Sequence, residues 1–162
     1  MNRAKFTVEN EGKTLVVERK FDAPVSRVWE AWTTQELLEQ WWAPKPWKAV
    51  TKEFKFEEGG HWHYAMVSPE DEKHWGWMDY ETIKKEEMFE GKDFFCDEDG
   101  NPNKELPSTD WLNEFEDNGE TTTVTITSVY ESAKDLDTVM EMGMKEGLTM
   151  ALDQLELVLE KE

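Results

Sequence analysis

The chain has 162 residues, 38% of them apolar, with nine Trp and eight Phe, enough for one packed domain despite a mean hydropathy of -0.80. Its 37 acidic residues outnumber 18 basic ones, for a net charge of -19, which repels phosphate backbones and anionic lipid surfaces and argues against nucleic acid as a partner. So many aromatics also exclude a disordered acidic tail. Cys96 is alone and forms no intrachain disulfide. The opening MNRAKFTVENEG lacks the apolar run of a signal peptide, and no segment approaches the ~18 apolar residues of a membrane span. A cytoplasmic protein with no membrane insertion is the expectation.

Lys5 to Glu9 and Thr14 to Phe21 read as strands joined by a turn at Glu11 and Gly12. Two short amphipathic helices follow with almost no loop. Asp22 is placed to cap the first, whose opening turn admits Pro24 because proline's missing N–H is an orphan there anyway. Val25, Val28, Trp29 and Trp32 recur at i, i+3, i+4 and i+7, one helical face. Thr34, or Thr33 in a capping box with Glu36, starts the second helix, whose stripe is Leu37, Leu38, Trp41 and Trp42 before Pro44 stops it.

Val50, Phe54 and Phe56 then alternate with charged residues until Gly59 and Gly60, the pattern of a half-buried strand. Trp62, Tyr64 and Met66 alternate in the next strand, Ser68 to Lys73 form a polar loop, and His74 to Ile83 return. Met88 to Cys96 is a further strand. The segment DEDGNPNKELPSTD, Asp97 to Asp110, is too rich in Pro, Asn and Asp to continue a sheet. Trp111 to Phe115 and Thr121 to Tyr130 make the last hairpin around a turn at Asp117 to Gly119, and the β-branched run TTTVTITSVY is the clearest strand signal. Leu136 to Met144 precedes a long helix from about Lys145 to Lys161, with Leu148, Ala151, Leu152, Leu155, Val158 and Leu159 on one face. The layered solution is α+β: a curved antiparallel sheet gripping a long C-terminal helix, within a single domain spanning 1–162.

The order of these elements, with the words FDAPVSRVWEAWTTQELLEQWW, EEGGHWHY, HWGWMDYETI, DFFCDEDGN and YESAKDLDTVMEMGMKEGLTMALDQLELVLE, resembles the START-like or Bet v 1-like superfamily, and within it the Hsp90-ATPase-activator-homologue-1-like family. The likeness runs from about Thr14 to Lys161. It implies a helix-grip fold with an apolar cavity between sheet and C-terminal helix, in a functionally diverse family. Two positions depart from the family pattern: Gln35 replaces a proline at the start of the second helix, and Lys85 and Glu86 replace a proline pair. The co-chaperone that names the family has a further N-terminal domain for which 162 residues leave no room, so Hsp90 activation is not expected to carry over.

His61 and His63, at i and i+2 on a strand, share a face as metal ligands would. With the hairpin closed at Ser68 to Lys73, however, His74 falls opposite Val67, too far along to complete a site, and burial of Trp62, Tyr64 and Met66 turns both histidines outward to the surface. No metal and no cofactor is expected. The acidic turn Asp97 to Asn101 fails the EF-hand template, which would put Phe95 at position one and Leu106 at position twelve. No GxSxG elbow or glycine-rich phosphate loop occurs, and Cys96 has no basic neighbour in sequence. Gly143 and Gly147, with Lys145 and Glu146 between them, suit a close backbone approach or a helix break better than a membrane dimer motif.

Asp79 and Asp93 are the weak catalytic candidates. Each lies on an aromatic-rich strand, and desolvation in a cavity would raise its pKa. Trp29, Trp32, Trp41, Trp42, Trp62, Tyr64, Trp77, Met78, Tyr80, Phe95, Met140 and Met144 are the candidate pocket residues, because flat aromatics and adaptable methionines suit a lipophilic ligand. The leading expectation is a module that binds a hydrophobic small molecule. A protein-interaction or co-chaperone-like domain would instead expose Trp41, Trp42 and Trp47 beside Pro44 and Pro46 as an apolar patch for a protein partner. A cyclase-like or hydrolase-like enzyme would use a cavity acid. Nothing selects or excludes a homodimer.

Overall fold

The computed structural model describes residues 3–161. Strand β1 (Lys5–Glu9) turns through a short 3-10 segment into β2 (Thr14–Phe21), and helices α1 (Val25–Thr33) and α2 (Gln35–Trp41) follow directly. Seven further strands come next: β3 (Lys48–Phe54), β4 (His61–Val67), β5 (Lys73–Asp79), β6 (Thr82–Lys84), β7 (Met88–Cys96), β8 (Thr109–Asp117) and β9 (Thr122–Val129). Helices α3 (Ala133–Glu141) and α4 (Met144–Glu160) close the chain. All pairings are antiparallel, in the order β1-β2-β9-β8-β7-β5-β4-β3, with β6 pairing β7 off this path. This is the helix-grip α+β fold. No helix among the described residues is long and apolar enough to cross a membrane.

The helical stripes bury as their spacing predicts. Val25, Val28, Trp29 and Trp32 on α1 and Leu38 and Trp41 on α2 are buried. The caps differ. Pro24 occupies the cap position of α1, and Asp22 is two residues too early to serve. Thr34 is the cap residue of α2 and caps it with its backbone alone, so Thr33 lies one residue too early for the capping box, and its hydroxyl donates back to the Trp29 carbonyl at 2.8 Å.

Two bulges explain where simple alternation misleads. A register shift between Thr51 and Glu53 changes the phase of β3, so Ala49 and Phe54 face the core while Val50 is 50% exposed. The predicted strand His74 to Ile83 is split into β5 and β6 by an extra residue around Tyr80, which bonds Gly60 and Gly59 instead of β7. The bend drives the Asp79 carbonyl against β7 at Gly91, where a Cβ would lie 1.8 Å from that oxygen, so only glycine fits.

Helix α4 crosses the inner face of the sheet, and its two ends are packed differently. Ala151, Leu152, Leu155, Val158 and Leu159 are buried, whereas Met144, Gly147 and Leu148 in the first turns are only half-buried. Gly143, left-handed at φ 90°, separates α3 from α4 and sets the angle between them. Polar contacts pin the middle of the helix. Arg19 on β2, 2% exposed, donates to Asp153 at 2.6 Å and to Glu156 at 2.9 Å. Gln154 Nε2 donates to the carbonyls of Trp41 and Ala43, both at 2.9 Å, and its Oε1 accepts from the Lys45 amide at 2.9 Å.

Arg19→Met leaves the Glu156 carboxylate buried without its counter-ion and is expected to cost about 3–5 kcal/mol, whereas the double variant Arg19→Met/Glu156→Met recovers most of it. Urea unfolding of the parent, single and double variants at neutral pH measures both values.

Candidate binding cavity

Between the inner face of the sheet and the α3–α4 junction lies a cavity of about 350 Å³. Its floor comes from alternate residues of successive strands: Trp62 and Met66 on β4, Met78 on β5, Phe89, Asp93 and Phe95 on β7, Thr109, Trp111 and Asn113 on β8, and Ile126 and Ser128 on β9. The side toward α1 and α2 is Trp32, Leu38, Trp42 and Pro44, and the roof is Val139, Met142, Gly143, Met144, Gly147, Leu148 and Ala151. Leu15, Tyr80 and Tyr130 complete the wall. The loosely packed start of α4 makes this space: Gly147 lies opposite the Pro44 ring and brings no side chain, and Met144 and Leu148 are only half-buried, so the helix stands off the sheet.

Of the residues proposed from sequence, Trp32, Trp42, Trp62, Met78, Tyr80, Phe95, Met144 and Asp93 lie on this wall. The others lie elsewhere. Trp29 is held edge-on by Phe56, Phe89 and Phe115 in the core behind it. Trp41 is fully buried, its indole donating to the Ala31 carbonyl at 2.9 Å. Tyr64 stacks on Trp62 at 4.0 Å and fills the space left by Gly76 rather than the cavity. Met140 packs on the core from α3 without reaching the wall. The apolar patch drawn for a protein partner is not assembled either, since Trp41 is buried, Trp42 lines the cavity and Trp47 packs edge-on against His74.

Trp77 and Asp79 face the other side of the sheet, because Met78 between them points inward. Trp77 stacks on His61 at 4.1 Å and on Phe94 at 6.0 Å, and its indole donates to Asp79 Oδ1 at 2.8 Å. The loop after β7 covers this outer cluster: Gly100 sits on the Trp77 ring, Cys96 bridges to Pro102, and His63 Nε2 donates to the Asp97 carbonyl at 3.1 Å. His63 points outward as the alternation demands, but it is 4% exposed, not a surface residue. His74 pairs with Met66, one residue from the expected register. Among the described residues no group of three or more His, Cys, Asp or Glu is arranged to hold a metal ion. Asp97 is instead a turn-former whose carboxylate accepts from the backbone of Asp99 and Asn101 and from the Asn101 side chain, which holds its pKa down.

Asp93 is the chemically distinctive residue of the cavity. Burial pushes its carboxyl from 3.8 up to about 7; a hydrogen bond from Thr109, its register partner, pulls the other way, and the charge of Asp110 adds to the rise. Burial also raises the Tyr64, Tyr80 and Tyr130 hydroxyls, and raises Cys96 to about 11 with help from Asp97. Sequence reasoning missed Thr109, Asn113, Ser128 and Tyr130, which with Asp93 form a polar strip across β7, β8 and the end of β9. The period-2 alternation on through Trp111 and Ile126 carried that signal, but small polar residues on an inner face read like ordinary strand filler. Several polar atoms of wall residues are buried without a protein partner: the indole nitrogens of Trp32 and Trp111, and Asn113 Oδ1.

Because Asp93 binds its proton more tightly folded than unfolded, the contribution of this carboxyl to stability is fullest below about pH 4, falls as pH rises toward 7, and is flat above. Asp93→Asn removes this penalty and is expected to stabilise the protein by about 2–4 kcal/mol at pH 8, with the gain fading in acid. Denaturation of parent and variant across this pH range checks the sign, and a difference between them that does not grow with pH places the carboxyl in an aqueous setting.

The sequence of residues 22–160 matches the family described as Activator of Hsp90 ATPase homolog 1-like protein. No curated protein matches the chain. Among solved structures, it is similar to a protein from Arthrobacter aurescens at 34% identity and TM-score 0.91, covering 98% of this chain and 92% of that one. It is also similar to protein Ms6760 from Mycobacterium smegmatis, at 30% identity and TM-score 0.88 over 96% of this chain and 95% of that one. A Staphylococcus epidermidis protein follows at 28% identity and TM-score 0.83, covering 96% and 94%. With the family pattern spanning both the grip helix and most of the sheet, the chain belongs to the Activator of Hsp90 ATPase homolog 1-like family.

Proposed function

We propose that this protein binds a small, mostly apolar molecule in the cavity between the sheet and the α3–α4 junction. The observation that carries this reading is the cavity itself: about 350 Å³, walled by aromatic and methionine side chains, with one polar strip on its floor. That volume is at the lower end of small-molecule sites, and a few convergent polar groups in an apolar wall are what orient a ligand. The methionines at the mouth, Met142 and Met144, can repack around differently shaped guests.

A second reading, an enzyme using Asp93 as general acid or base, is favoured by the carboxyl's position on the cavity wall and its pKa near neutrality. Asp93→Asn would then abolish turnover of the bound compound while leaving its binding intact. The co-chaperone role that the family description names draws support from the family alone, since the apolar patch it called for is not assembled on this surface.

Native mass spectrometry of the purified protein and thermal shifts against lipids and aromatic metabolites test the binding reading. A guest at a hundredfold excess over its Kd adds about 2.7 kcal/mol, which raises Tm by roughly 5–10 °C in a chain of this size. Leu148→Trp, placed at the half-buried mouth, is expected to abolish that rise with only a small change in the Tm of the free protein. A shift that survives the plug puts the guest elsewhere.

A further inference from the structure

The nature of the polar strip narrows the ligand. Among the described residues Asp93 is the one carboxylate of the cavity wall, and no lysine, arginine or histidine lines the space with it. Arg19 on β2, the basic side chain buried on the same sheet face, is already committed to Asp153 and Glu156. Asn113, 3% exposed and four register pairs along the floor on β8, carries a second oxygen acceptor, Oδ1, without a partner. A carboxylate desolvated without a counter-ion is expensive, and a ligand that brings a positive charge removes that cost. The rest of the wall suits the same guest. Trp42, Trp62, Trp111 and Phe95 offer aromatic faces, which attract cations. The chain's net charge of -19 raises the local concentration of cations and lowers that of anions.

We infer that the cavity is selective for lipophilic amines: a flat apolar body held among the tryptophans and one protonated nitrogen donating to Asp93. The inference rests on the binding reading above and names the substrate class of that site. It also separates binding from acid–base work. The groups facing Asp93 from other elements are Thr109, Tyr64 and Tyr130, with Asp110 beside Thr109, while Cys96, three residues along the same strand, lies on the outer face. Burial keeps the tyrosines and the thiol protonated at neutral pH, so none supplies the second proton-transfer partner that an acid–base pair needs. A lone carboxylate under aromatic walls is the arrangement of a counter-ion. Since the Asp93 carboxyl titrates near 7, the preference for amines is present above that pH and lost below it, while the alkylammonium stays charged throughout.

Calorimetric titration of naphthylethylamine, naphthylethanol and naphthylacetate, three guests of one shape and different charge, tests this. The amine is expected to bind at least about tenfold more tightly than the alcohol at about pH 8.5, with the acetate weakest, and to lose that margin at about pH 5.5. In Asp93→Asn the amine and alcohol are expected to bind alike at both pH values; if that variant does not fold, the parent's pH series decides. Equal binding of all three guests, or tightest binding of the acetate, overturns the amine preference and leaves the cavity reading in place. A preference that persists in Asp93→Asn overturns the role of that carboxyl. Failure of every guest, the neutral alcohol included, overturns the cavity reading and this one with it.

Discussion

The buried Arg19 guanidinium, gripped by Asp153 and Glu156, sets the seat of the long helix on the sheet, and the cavity depends on that seat. An ion pair of this kind is poor evidence of extra stability, because desolvating its charges offsets most of their attraction. Its value is positional. A leucine-rich helix could slide on an apolar sheet at little cost, but moving α4 by a turn would leave Arg19 and Glu156 buried and unpaired. Gln154 adds a second restraint on the adjoining side of the helix by bonding the backbone on both sides of the α2 terminus, at Trp41, Ala43 and Lys45. Together these contacts register the helix in rotation and translation.

With the middle of α4 seated, the rest of the packing follows from side-chain size. Beyond Ala151 the helix presents Leu152, Leu155, Val158 and Leu159 and packs tightly. Before it come Gly147 and the left-handed Gly143, which bring no side chain, with Met144 and Leu148 only half-buried, and the space above the strands stays open. The same helix therefore closes the core at one end and roofs a cavity at the other. Aromatic side chains from α1 and α2 do the corresponding work at the side: Trp29 and Trp41 fill the core while Trp32 and Trp42 form cavity wall.

The two faces of the sheet have become distinct environments. The inner face carries the cavity, where burial desolvates the Asp93 carboxyl. The outer face would ordinarily be solvated, yet near β4, β5 and β7 it holds His61, His63, Trp77 and Phe94 under the 97–103 loop. That cover keeps a flat aromatic surface from standing open as an aggregation-prone patch. It also gives the acidic DEDGN turn a structural role: the Asp97 carboxylate organises backbone that lies over the aromatics.

Element identity was legible in the amino-acid sequence because helix and strand periods are local: the α1 and α4 stripes, the β-branched run of β9 and the aromatic alternation of β4 each require one kind of backbone. The family words in their order were legible for the same reason. Phase was not. Whether Val50 or Ala49 faces the core depends on a bulge at Thr51 to Glu53, and one extra residue inverts every side chain after it. Trp77 and Met78 are adjacent and both apolar, so only the pairing of β5 with β4 and β7 decided which of them met the cavity and placed Asp79 outside and Asp93 inside. The polar strip arises only when three strands align Asp93, Thr109, Asn113, Ser128 and Tyr130 on one floor, and Arg19 meets Asp153 and Glu156 across more than 130 residues of chain. Local periodicity thus determined the parts and their apolar faces, while long-range register, which no short window of sequence contains, decided which residues share a site.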